Sequence, residues 1–312
     1  MDNNLMIETR NMTKTFGDFT AVDGIDLAVQ KGTIHGFVGP NGAGKTTTMK
    51  MLIGAIWSTA GEGYIGGHRM GSLQAKQLIG YCPESASFYK DMVASDYLAY
   101  MARISGVERS LTRKKALELL DWLDLRDFSE TKVGGFSAGM RQRLGLAQAL
   151  IHDPQLLILD EPTANMDPTG RQLILDKLKQ LSGEKNVTIF LSSHILSELE
   201  QVVDFMTMID RGRLVVKGEM SELKKSFSGN QFLVKTSDNN AVLEALKAKE
   251  VFKEGWIDGD GIIHMIGDDK TGLRKAIMNA VTELGVDIEH LSEERASLQD
   301  IYRKSVGTEE GE

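Results

Sequence analysis

Lys45 and Thr46 close the run Gly39-Pro40-Asn41-Gly42-Ala43-Gly44-Lys45-Thr46-Thr47, which has the spacing Gly-x-x-x-x-Gly-Lys-Thr. Glycines so placed let the backbone curl until several N–H groups aim at one anion, and a helix starting there adds the positive end of its dipole. A lysine at this point reaches the β- and γ-phosphates of a nucleotide, and the following hydroxyl suits the Mg²⁺ that travels with them. A second chemical pair stands downstream, where Leu156-Leu157-Ile158-Leu159 runs into Asp160-Glu161. Adjacent acids at the end of a buried strand are costly without partners. A metal ion and an activated water supply partners, with Asp160 holding the ion and Glu161 orienting or deprotonating the water. His194 follows another apolar run, 187–191, and is a candidate for contacting a γ-phosphate.

These groups need elements to hold them. Ile34-His35-Gly36-Phe37-Val38 is short and apolar enough for a buried strand into the glycine loop. Met49, Leu52 and Ile53 fall at helical spacing after Lys45, and Gly54 is placed to stop that helix. The unbroken apolar runs predict strands covered on both faces, as in a parallel sheet, whose carboxyl ends are where ligands bind. Ser137 suits the N-cap of a helix whose apolar face is Met140, Leu144, Ala147 and Ile151, ended by Asp153-Pro154. That start is either a plain cap or a second phosphate-binding helix N-terminus. Residues 5–32 read as short strands with a turn at 15–18, and 61–67 as another strand. Phe16 on that turn is either a core aromatic or a ring that stacks on a base. Residues 93–104 and 111–125 carry helical periodicity, a helical insert, and Trp57 and Trp122 read as core. The turn Ala164-Asn165-Met166-Asp167-Pro168 leads into a helix over 169–181.

Beyond about residue 220 the chemistry-bearing patterns stop. Strands at 231–235, 251–257, 262–266 and 286–291 alternate with helices at 241–248 and 273–284 in the order βαββαβ, a small ferredoxin-like domain. A last helix, 298–304, precedes an acidic tail, and His264 and His290 read as structural. The 312 residues suggest about two domains. The net charge of -8 argues against a general nucleic-acid surface, and the single cysteine, Cys82, excludes an intrachain disulfide framework and fits a reducing compartment. The opening residues are polar, so no signal peptide is expected, and no apolar run approaches the roughly twenty residues that span a bilayer. Any work at a membrane then needs another chain to cross it.

The order of glycine loop, helical insert, Ser-x-Gly helix, Asp-Glu strand, Asp turn and Ser-His resembles the nucleotide-binding subunit of an ABC transporter over about residues 5–220. The resemblance implies an α/β P-loop NTPase (ABC ATPase) with an antiparallel β subdomain and a helical insert, beside the α+β ferredoxin-like domain. The expected boundaries are 1–220, with the helical subdomain at about 90–152, then an accessory or regulatory domain at 221–306 and a tail at 307–312. ATP is then held by Phe16, Gly39, Asn41, Gly42, Ala43, Gly44, Lys45, Thr46 and Thr47, with Phe16 on adenine. Thr46, Asp160 and Glu84 face Mg²⁺, while Glu161, His194 and Lys45 carry hydrolysis. Ser137 and Gly139 contact the γ-phosphate on the other protomer's loop in a head-to-tail dimer, and Asp167 communicates across that interface.

The same resemblance implies a separate transmembrane permease subunit, met by residues 84–89, at the cytoplasmic face of the membrane. The dimer is a homodimer or a heterodimer with a paralogous ATPase subunit, and no nucleic acid is involved. Phe16 stands where the family more often has Tyr, Glu84 where it has Gln, Ala138 and Met140 where it has Gly and Gln, and Asn165-Met166 where it has Gly-Leu. None of these removes a group required for hydrolysis. The altered signature and Glu84 are familiar among exporter subunits with one nucleotide domain per chain. The alternative, a soluble ABC-type ATPase acting on a ribosome or nucleic acid, usually pairs two nucleotide domains in one chain or inserts a long coiled coil, and neither occurs here.

Overall fold

A computed structural model describes residues 4–164, 166–227, 230–293 and 297–306; Asn165 and the tail 307–312 lie outside the described residues. The chain opens with β1 (Leu5–Phe16), β2 (Phe19–Ile25) and β3 (Ala28–Gln30), then β4 (Ile34–Val38) and α1 (Lys45–Leu52). Next come β5 (Ala60–Ile65), β6 (His68–Arg69), α2 (Leu73–Gln77) and β7 (Ile79–Cys82). The helices α3 (Ala94–Ile104), α4 (Thr112–Trp122) and α5 (Ala138–Leu150) form the insert. They are followed by β8 (Leu156–Leu159), α6 (Pro168–Lys185), β9 (Thr188–Ser193), α7 (Leu196–Leu199), β10 (Phe205–Asp210) and β11 (Arg213–Glu219). The chain divides at Met220, and the second compact unit runs Ser221–Lys304.

The first unit holds two sheets. A six-stranded sheet has the order β11-β10-β4-β9-β8-β7, parallel except for β11 at one edge. Strands β4, β8 and β9 are buried along their whole length, which is why each reads as a continuous run with no alternation. The antiparallel sheet has the order β2-β1-β5-β6, with β3 also on β1. Met6, Ile7 and Ile65 of this sheet share one core with Phe37, Met49 and Ile158. In the insert, Tyr97 on α3 hydrogen-bonds Gln148 on α5. Helix α5 lies so close to β7 that a Cβ on Gly80 would sit 2.1 Å from the Ala149 carbonyl oxygen.

Two expectations change. The fragments read over residues 5–16 are one twelve-residue strand, β1, whose register shifts between Met12 and Thr15 break the period-two pattern. Trp57 is not in the core: it is 69% exposed, its ring laid over Gly71, where an added Cβ would meet it at 3.0 Å. Trp122 is partly buried, its indole N–H donating to Gln180 Oε1 at 3.1 Å.

The second unit contains most of α8 (Met220–Phe227), then β12 (Gln231–Thr236), α9 (Asn239–Lys247), β13 (Phe252–Ile257), β14 (Ile263–Gly267), α10 (Lys270–Leu284), β15 (Ile288–Glu293) and most of α11 (Leu298–Val306). Its antiparallel sheet, β13-β14-β12-β15, has the strand order of a ferredoxin-like βαββαβ sandwich. Phe232, Val234, Ile263 and Met265 face Val242, Leu246, Leu273 and Ile277 of α9 and α10. His264 lies 3.0 Å from Asp258 and stacks on Trp256, and His290 Nε2 lies 2.8 Å from Ser292 Oγ.

His35 is the one titratable side chain buried within β4. Its Nε2 meets Thr207 Oγ1 at 2.8 Å, its ring packs between Phe190 and Phe205, and its Nδ1 has no partner. Burial pushes its pKa down from 6.5 to about 3. Above the unfolded value both states are neutral and stability is full. As pH falls below it, the unfolded chain takes up a proton that the native state refuses, so stability is lost progressively until the folded pKa is reached. Urea unfolding at about pH 7 and about pH 5 is expected to show a loss about 2 kcal/mol larger for this chain than for His35→Phe. Equal losses would mean that His35 is protonated in the native state.

Candidate active site

The glycine loop between β4 and α1 walls a cavity of about 350 Å³, with Asn41, Gly42, Gly44, Lys45, Thr46 and Thr47 on its lining. Gly44 caps α1 at φ 108, and a Cβ there would stand 2.6 Å from the Ala21 carbonyl oxygen, so both conformation and space require glycine. Lys45 is 7% exposed; its ammonium donates to the carbonyl oxygens of Gly39 (2.7 Å) and Pro40 (3.3 Å) and stands 3.5 Å from Glu161 Oε1. The loop is also tied from outside. Gly212, in the turn between β10 and β11, donates its N–H to the Ala43 carbonyl at 3.0 Å and accepts from the Asp23 N–H at 2.9 Å.

Glu161, two residues past β8, sits at φ 51, left-handed backbone that costs a non-glycine residue about 1–3 kcal/mol. Its surroundings hold it there. The Glu161 N–H donates to Ser192 Oγ at 3.0 Å, and Glu161 Oε2 accepts from the His194 N–H at 3.3 Å and lies 2.7 Å from His194 Nδ1. The Ser192 hydroxyl in turn donates to Asp160 Oδ1 at 2.7 Å. Strands β8 and β9 are neighbours in the sheet, so their carboxyl ends deliver Asp160, Glu161, Ser192 and His194 together.

Among the residues expected from the sequence, the loop residues, Glu84, Glu161 and His194 converge on this cavity. Gly39 takes part through its carbonyl, Ala43 is buried behind the loop, and Asp160 lies beneath it, bonded to Ser192. Phe16 ends β1 directly opposite Phe19, exposed, with Lys14 Nζ 4.9 Å from its ring centre; it is Phe19 that lines the cavity. Ser137 and Gly139 are elsewhere. Ser137 Oγ accepts from the Met140 N–H at 3.2 Å, and the start of α5 borders a smaller cavity of about 160 Å³ with Glu84, Ser85, Ala86 and Phe88. Glu84 therefore borders both spaces. Asp167 caps α6 by accepting from the Gly170 N–H at 3.2 Å. Its turn is braced by Glu198, which meets Arg171 at 3.0 Å and Thr163 at 2.8 Å.

Of the oxygen donors expected for a metal, the Thr46 hydroxyl and the Glu84 carboxylate line the cavity, while Asp160 is not on its lining and accepts from Ser192. Among the described residues no three His, Cys, Asp or Glu side chains form a metal-holding group. This donor set fits a hard cation such as Mg²⁺ that keeps substrate phosphates among its ligands. Cys82, which ends β7, is a buried thiol pushed up to about 12 by burial, which disfavours its thiolate form at neutral pH. Two site residues escaped the sequence reading. Ser192 is one of three hydroxyl residues of β9, with Thr188 and Ser193, and nothing in the sequence set it apart from them; Phe19 carried no signal apart from its place opposite Phe16.

The family described as ABC transporter matches residues 22–164, and one described as ATP-binding protein DrrA1-3-like, C-terminal domain, matches residues 218–306. The bacitracin transport ATP-binding protein BcrA of Bacillus licheniformis is 36% identical over 97% of this chain and 97% of its own length. The linearmycin resistance ATP-binding protein LnrL of Bacillus subtilis is 34% identical over 78% of this chain and 79% of its own. Among solved structures, an ATP-binding subunit of an ABC transporter overlays with a TM-score of 0.65 at 25% identity, over 71% of this chain and 93% of that one. A dimeric ATP-binding cassette with ADP and phosphate bound overlays at 0.64 and 23% identity, over 69% and 99%.

Because the Ser192 hydroxyl serves both acids, Ser192→Ala removes a donor from buried Asp160 and an acceptor from the strained Glu161 N–H. Chemical denaturation is expected to show a loss of about 1–3 kcal/mol. An unchanged midpoint would mean that other groups take over both bonds.

Proposed function

The chain belongs to the ATP-binding proteins of ABC transporters and is an ATPase, and from that premise we propose how its residues divide the work. Lys45 and the loop N–H groups hold the β- and γ-phosphates and spread the charge that develops as the terminal phosphoryl group leaves. Glu161 orients and deprotonates the attacking water, and His194, fixed to Glu161, meets the γ-phosphate. Phe16 and Phe19 grip the base end. Mg²⁺, approached by Thr46, Asp160 and Glu84, would neutralise phosphate charge when bound. The observation that carries this reading is the convergence of Lys45, Glu161 and His194 on the glycine-loop cavity.

In this reading Ser137, Gly139 and Asp167 act on the nucleotide of a second copy, in a head-to-tail pair. Their separation from this chain's own loop cavity supports it, as does the dimeric cassette that shares the fold. The pair drives export through a separate transmembrane subunit, at the cytoplasmic face of the membrane, with residues 84–89 as the docking segment. No helix among the described residues is long and apolar enough to cross a bilayer, so that subunit supplies the crossing. Relatives named for bacitracin transport and linearmycin resistance support export, with cargo chosen by the membrane subunit. The division of the chain into residues 1–220 and an accessory domain at 221–306 is part of the same reading.

Glu161→Gln keeps size and hydrogen bonding but removes the base, so hydrolysis is expected to fall about 100-fold or more while ATP still binds. Turnover within a factor of about two of the parent would rule out Glu161 as the base. Pairing is tested by mixing. Lys45→Ala and Ser137→Arg chains, each inactive alone, would form mixed pairs with one intact site, restoring about a quarter of parental activity. No recovery despite pair formation would place Ser137 outside the shared site.

A further inference from the structure

A cavity of about 530 Å³ in the first unit lies apart from the nucleotide site. It opens between α4, the carboxyl-terminal ends of α5 and α6, and the start of β9, floored by Leu119, Leu150, Leu181 and Val187 and walled by Trp122. Its volume falls in the range that takes small organic ligands rather than single waters. Trp122 is fixed before anything binds. Its indole N–H donates to Gln180 Oε1 at 3.1 Å, and Lys177 Nζ lies 5.1 Å from its ring centre, both partners coming from α6. A pre-set aromatic wall spares a ligand the cost of ordering it.

The rim carries two lysines and two acids, and three of these four charges are in ion pairs. Glu118 is paired with Lys114 at 3.8 Å, and Asp153 with Lys115. Lys185, the last residue of α6, also lines the cavity and has no ion-pair partner among the described residues. An apolar floor, a fixed indole and one unmatched ammonium select a molecule with an apolar body and a single anionic group. We propose that this cavity is a binding site for an amphipathic organic anion, separate from the nucleotide site.

The test uses the full-length chain with Trp57→Phe and Trp256→Phe, which leaves Trp122 as its sole tryptophan, and an anilinonaphthalene sulfonate dye as probe. The expected result is saturable, one-to-one quenching of Trp122 with energy transfer to the dye, unchanged by saturating ATP. Lys185→Glu, a surface change, is expected to weaken dye binding about three- to tenfold. Leu119→Glu, which sets a carboxylate on the floor, is expected to weaken it about tenfold or more. Decanoate should displace the dye at lower concentration than decanol. Non-saturable quenching, displacement by ATP, equal affinity in both variants and parent, or decanol matching decanoate would each overturn the proposal.

Discussion

A carboxylate drawn out of water needs cations or donors in place of that water, and at Glu161 they arrive from both sides. Lys45 faces one oxygen and His194 the other, so a lysine from the loop after β4 and a histidine from the end of β9 meet at an acid from the end of β8. Three segments far apart in sequence are thereby fixed to one point. The order β4-β9-β8 in the sheet is what brings the three segments together, and removing either partner would leave the Glu161 carboxylate with less to meet it. The strained backbone at Glu161 belongs to the same arrangement, since it turns the carboxylate toward Lys45 while its N–H stays bonded to Ser192.

Much of this was legible beforehand, for a physical reason. Strands sealed on both faces must be apolar throughout, so 34–38, 156–159 and 187–191 stood out, and glycine-loop spacing is demanding enough to identify itself. What stayed hidden depends on distant partners or on polar ends. The Ser192–Asp160 bond joins residues 32 apart, and no local pattern announces it. Helix α6 continues four residues beyond the apolar stripe because its last turn is polar, ending where Asn186 turns left-handed. Helix α10 begins at Lys270 rather than 273 because Asp269 caps a first turn without apolar residues beyond Leu273. Trp57 misled because size argues for burial, whereas a flat glycine surface can carry a ring on the outside.

The chain's two chemically marked helix starts point to different places. Helix α1 opens onto the glycine-loop cavity, while α5 opens beside the smaller cavity, and Glu84 is the residue common to both. A side chain shared in this way makes the linings of the two spaces continuous at one residue. The residues from Pro83 to Phe88, which include it, lie outside any regular helix or strand.

The turn at Gly212 has a geometric corollary. By bonding Ala43 on one side and Asp23 on the other, it mounts the phosphate loop and the strand leading back to Phe19 on a common bracket. The spacing between Phe19 and the glycine loop is therefore set like the jaws of a fixed gauge. Such a gauge holds a spacing and cannot by itself narrow it.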